Sequence, residues 1–150
     1  MFLIPTYLSD SSIHGTGVFT PAPIPAHTRI WVFTEQIDWR LTPEELASFP
    51  EPYQKRLRAW CYLNGDGRYV LCGDNARFMN HSNTPNCDDP EGQYTITNRD
   101  IEAGEELTSD YRTFDHESAT NGLNFETDVA TRAVNWTAHD DAPASSQRIT

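Results

Sequence analysis

Residues 77 to 87 read RFMNHSNTPNC. Phe78 and Met79 are side chains that anchor a segment in a core, yet seven of the next eight positions are polar or proline, with amides at Asn80, Asn83 and Asn86 around His81. An asparagine carries two donors and an acceptor, and a neutral histidine one of each. Taken alone, the stretch is either a buried network that satisfies an irregular piece of chain or a set of polar groups fixed for a ligand.

The rest of the 150-residue chain narrows the choice. That length is one domain, long enough to bury roughly 68–70% of its unfolded surface, and 37% hydrophobic residues suit a globular body. A net charge of -11 argues against a direct nucleic-acid binder, which needs a basic stripe, and favours cationic partners. Cys61, Cys72 and Cys87 are odd in number and far apart, so neither a disulfide framework nor a zinc knuckle is expected. The opening MFLIPTYLSD has no basic leader, its apolar run is broken by Pro5, and nothing later approaches a membrane span. A soluble intracellular chain, cytoplasmic or in another internal compartment, is the expectation. The glycosylation patterns at Asn80 and Asn135 are read as chance in that setting.

Short β-type segments are expected at 2–8, 17–20, 28–35, 68–72, 93–98 and 106–108, separated by turn chemistry. In AWCYLNGDGRYVLC, Asn64-Gly65 and Asp66-Gly67 lie between two aromatic and β-branched runs and predict a hairpin. LTPEELASF predicts a helix, with Thr42 as cap, Pro43 in the first turn and Glu45 completing a capping box. A second helical turn or two runs through YQKRLRAW, with Tyr53, Leu57 and Trp60 read as core. PAPIPAHTRIW and NRDIEAGEELT echo each other as strand–turn–strand corners, with Gly104 at the second turn and His27, in a left-handed backbone, at the first. From Thr113 the composition shifts, so 1–113 is taken as the domain and 114–150 as a tail, partly ordered or flexible, with Phe114, Phe125 and Trp136 able to dock.

Two further motifs bear on the opening stretch. HGTGVF, from His14 to Phe19, has two glycines that let a backbone turn approach a ligand closely, but it lacks the third glycine of a dinucleotide fingerprint and the lysine of a phosphate loop. AGEELTSDY, from Ala103 to Tyr111, is an acidic corner leading into a strand that ends on a tyrosine. In this order and at these separations, GTGVF, RFMNHSNTPNC and GEELTSDY together resemble the SET domain of protein-lysine methyltransferases, with the minimal length of small viral and bacterial members. The resemblance implies a mainly β fold with short helices, a β-clip-like arrangement of small sheets around a knot-like core. It implies transfer of a methyl group from S-adenosyl-L-methionine to a lysine of a protein substrate, a basic one given the acidic chain. By the same resemblance Gly15, Thr16, Gly17, Asn80 and His81 hold the cofactor and Tyr111 is catalytic. Asn83, Pro85 and Asn86 fix the turn.

The chain departs from the family pattern in three places. Cys87 stands where many members have a zinc-binding cysteine, but no cysteine cluster follows, so no metal is implied. Phe33, in VFTEQ, takes the place of a Tyr-x-Gly element, and Ser109 lies two residues before the tyrosine where some subfamilies have an aromatic. Both are expected to line the substrate channel. Which tail aromatic closes the site is open. These departures also leave room for an alternative, a SET-like module that binds cofactor or a basic peptide without catalysis.

Overall fold

In the computed structural model, which describes residues 1–117, the described residues include ten short strands and the helices α1 (Pro43–Ser48) and α2 (Glu51–Trp60). Three small sheets result. The first has the order β1 (Tyr7–Asp10), β2 (Thr16–Phe19), β10 (Glu106–Ser109) and β7 (Asn80–His81). The second joins β3 (Arg29–Val32), β9 (Tyr94–Thr97) and β8 (Cys87–Asp88). The third joins β4 (Trp39–Leu41), β6 (Tyr69–Leu71) and β5 (Cys61–Leu63).

The predicted hairpin is the β5–β6 pair, in register Leu63↔Tyr69. Asn64 organises its turn, since its side-chain oxygen accepts from the N–H groups of Asp66 and Arg68. Helix α1 (Pro43–Ser48) starts on the expected capping box, where Thr42 Oγ1 accepts from Glu45 N and Glu45 accepts from Thr42 N. Helix α2 (Glu51–Trp60) is longer than expected, and its aromatics are not core. Tyr53 and Trp60 are exposed, and Leu57 alone of the three packs inward, against Leu41, Leu46, Cys61 and Tyr69. A two-helix corner over a three-stranded sheet buries one narrow stripe. The Trp60 ring lies near the guanidinium groups of Arg56 and Arg77.

The expected strand over 2–8 also shifts. Pro5 has no N–H to give a ladder, and pairing starts at Tyr7, leaving Phe2 as an isolated bridge to Trp31. The two echoing corners meet each other. Ile24 and Ile101 exchange both backbone hydrogen bonds, and His27 and Gly104 have the positive φ values of 61° and 83°. Val18, Ile24, Ile30, Met79, Cys87, Ile101 and Leu107 form the main core, with Phe78 against its edge. Each fully buried aliphatic among them contributes on the order of 1.5–3 kcal/mol. This core is what holds β2, β10 and β7 side by side beneath the three motifs.

Candidate active site

The first sheet places the motifs next to one another. Strand β10 pairs antiparallel with β2 through Leu107↔Val18, and parallel with β7 through Thr108↔Asn80 and Ser109↔His81. Asn86 supports this crossing as a substitute strand. Buried, it gives its amide N–H to the Glu106 carbonyl at 2.7 Å and accepts the Thr108 N–H at 2.8 Å. The sequence places it in a turn; its bonds run instead along β10.

Asn80 ties all three motifs together. Its amide nitrogen faces the carbonyls of His14 at 3.0 Å and Thr16 at 3.3 Å and the Glu106 carboxylate at 2.8 Å. Glu106, which the sequence reading left without a role, accepts in addition from Ser11 Oγ at 2.8 Å. It also explains Gly17, because a Cβ there would lie 2.2 Å from Glu106 Oε1. Gly15, at a φ of 49°, and Thr16 are exposed, while the carbonyls of the turn are held from within by Asn80 and by the Ser11 N–H.

His81 is buried and holds the next segment in place. Its Nδ1 accepts the Tyr111 backbone N–H at 3.2 Å, and Nε2 lies 3.4 Å from Asn83 Oδ1. Burial lowers its pKa, against the pull of Asn83 and of Asp110, whose carboxylate is 3.7 Å away. Asp110 is itself lowered, first by its hydrogen bonds from Arg112. The imidazole is therefore neutral with Nδ1 as an acceptor. The half-buried Tyr111 donates its hydroxyl to the Met79 carbonyl, and its ring centroid lies 5.5 Å from that of His81 and 5.7 Å from that of Phe114. Burial pushes the phenol pKa up, so it stays neutral.

Of the sequence-predicted residues, Gly15, Thr16, Gly17, Asn80, His81, Ser109 and Tyr111 converge on this sheet and the 3-10 turn that follows it. Phe33 lies elsewhere, just past β3, where its N–H binds the Gln93 carbonyl and the Arg40 guanidinium covers its ring at 3.9 Å. Phe114 packs edge-on against both Tyr111 and Tyr62. Phe125 and Trp136 lie outside the described residues. Beside Phe114 opens a cleft of ≈ 330 Å³, walled by Asn64, Asp66, Gln93, Thr113 and His116. The three cysteines are buried and free, with Cys61 pushed up to about 12 by burial, which leaves it an inert thiol. Among the described residues no group of His, Cys, Asp or Glu could hold a metal ion, and no helix is long and apolar enough to cross a membrane.

Three motifs brought onto one sheet, with a tyrosine fixed beside them, define a recognised class: the SET domain model matches residues 15–112, and the chain belongs to the SET domain family. The human and mouse proteins named histone-lysine N-methyltransferase 2D are each 31% identical to it over 122 residues, a span covering 74% of this chain. The match takes in 2% of the length of those relatives. Among solved structures, a Plasmodium falciparum protein described as a candidate histone methyltransferase superimposes with a TM-score of 0.53 at 20% identity. That likeness covers 72% of this chain and 93% of the other, and supports the mainly β fold of several small sheets.

Proposed function

We propose that the chain transfers a methyl group from S-adenosyl-L-methionine to a lysine side chain of a protein. The observation that carries this reading is the setting of Tyr111. Its proton is committed to the Met79 carbonyl, so the phenol oxygen can serve an incoming group only as an acceptor. A neutral acceptor can orient an amine and stabilise polarised C–H bonds. Membership of the SET family and similarity to histone-lysine methyltransferases support the same activity.

The cofactor supplies an activated methyl group on a sulfonium. The residues present fit such a cation: the exposed Gly15–Thr16 turn runs into Gly17, which lies against the half-exposed Glu106 carboxylate. Gly15, Thr16 and Gly17 would cradle the amino-acid end, Asn80 would hold that turn at its working spacing, and the His81 backbone would face the adenine side. The chain's own task is alignment, since in-line displacement needs reacting atoms about 3–3.5 Å apart. His81 fixes Tyr111 by accepting its backbone N–H, and Ser109 stands opposite His81 on the neighbouring strand β10. Phe114 and the adjoining cleft offer a bed for substrate peptide. The net charge of -11 draws in a basic protein.

One observation favours the second reading, a module that binds without catalysis. Phe33 brings no hydroxyl, and Arg40 covers its ring. Two assays decide. S-adenosylmethionine at 100 times its Kd should stabilise the protein by about 2.7 kcal/mol in a thermal shift. Incubation with mixed core histones and labelled cofactor should yield methyl-lysine by mass spectrometry. Binding without transfer moves the assignment to the module.

A further inference from the structure

A buried carboxylate normally has its partners. Asp38, fully buried, accepts from the N–H groups of Thr34 and Gly73 and from the terminal amine of Met1. Asp89 differs. It is 9% exposed, its Oδ1 accepts the Thr95 hydroxyl, and its Oδ2 meets no donor in hydrogen-bonding geometry. The Ser109 hydroxyl lies beside the carboxyl and favours its charged form, as Thr95 does, against the effect of burial. Among the described residues no basic side chain forms an ion pair with it.

Its place gives this gap meaning. Asp89 directly follows β8, is bonded from β9 by Thr95 and is flanked from β10 by Ser109, two residues before Tyr111. The other titratable groups in its field are Asp88 and Cys87 on its own segment, the Tyr62 phenol from β5 and the Tyr111 phenol from the turn after β10. None is a cation. A carboxylate so deeply buried with no cationic partner is costly, and it either holds a proton or awaits a positive charge. Burial does raise its pKa.

The geometry points to Asp89 as the receptor for the substrate's lysine ammonium and the first acceptor of its proton. This rests on the lysine methyltransferase reading above. A lysine arrives as an ammonium, because its pKa is about 10.4, and methyl transfer needs the neutral amine. In the proposed step one N–H bond of the ammonium breaks, its electron pair stays on Nζ, and the proton forms an O–H bond at Asp89 Oδ2. Two opposite charges vanish together inside the site. Thr95 keeps the carboxyl oriented throughout, and the proton returns to solvent after turnover.

The test uses the full chain in two measurements. For Asp89→Asn, which keeps the shape and the Thr95 contact, kcat/KM on mixed core histones should fall on the order of 10²-fold at pH 7. The acid limb of its pH profile should move toward the pKa of free lysine, while S-adenosylmethionine affinity is retained. In the wild type, ¹³C-carboxyl labelling of aspartate should show Asp89 titrating well above an ordinary aspartate, and n-butylammonium, but not n-butanol, should lower that titration. A variant with an unchanged pH profile, or an Asp89 signal indifferent to n-butylammonium, would overturn the assignment. If the variant does not fold, the labelled wild type decides alone. If the wild type transfers no methyl group at all, the enzymatic reading fails, and the n-butylammonium titration still says whether Asp89 receives a cation.

Discussion

The Tyr111 hydroxyl and the Asn80 amide are the two groups on which the site turns, and they predict different losses. Tyr111→Phe keeps the ring against His81 and Phe114 and removes the oxygen. Turnover should drop on the order of 10²–10³-fold, with cofactor affinity unchanged and stability lower by about 0.5–1.5 kcal/mol for the lost bond to Met79. Parallel rate and melting measurements check this, and a wild-type rate in a destabilised variant would make Tyr111 structural. Asn80→Ala, in contrast, releases the carbonyls of His14 and Thr16 and leaves Glu106 Oε1 without its amide donor, with Ser11 still bonded to Oε2. Calorimetry on the folded variant should show S-adenosylmethionine binding weaker by about 1.5–3 kcal/mol. At this scale the sequence was informative where the chemistry repeats a known pattern, as at Asn80 and Tyr111. It was silent about Glu106, because the partner that makes this residue matter stands 26 positions away, and about Asp89, because burial without a cationic partner leaves no mark in an acidic turn.

Among the elements, the tight contacts are those where a strand has no room to change. Gly17→Ala would push a Cβ into Glu106 Oε1. Carboxylate and turn must move apart, so the variant should lose about 1–3 kcal/mol in denaturant unfolding and bind cofactor less well. A substitution at Gly17 that leaves both unchanged would show that the Glu106 contact is slack. Secondary structure was legible wherever local chemistry decides it: the capping box of α1, the Asn-Gly hairpin, and the left-handed turn at His27 all follow from a few adjacent residues. It was illegible where pairing is long-range. Strands β7 and β8 are two residues each and exist because β10 and β9 lie beside them. The aromatics of α2 misled for a related reason: helical spacing says which residues share a face, and how much sheet waits beneath that face is set by the tertiary fold.

Across the whole molecule, charge and pH tie stability to function. The His81 pKa is lowered on folding, so its contribution is present above the ordinary value of about 6.5 and is lost as pH falls through the lower folded value. Glu105, held down to about 2 first by Arg99, adds stability above the usual glutamate range that is lost as pH falls toward about 2. The melting temperature should therefore fall below neutral pH in two stages, and His81→Gln should flatten the first. Equal acid sensitivity in that variant would remove His81 from the account. Because the chain carries a net charge of -11, KM for a basic protein should rise with ionic strength, and a salt-independent KM would place recognition in apolar contacts instead.

The amide of Asn80 has a further consequence in time. It joins carbonyls 66 and 64 positions upstream to a carboxylate 26 positions downstream. No fragment of the chain contains those three groups without also containing both corners and the core between them. Contacts of such span form late and slowly. On the proposed function, a newly made chain should therefore be inert until the fold has closed, and heating should silence it at the same temperature at which the structure opens, with no interval in which an unfolding molecule still holds a site.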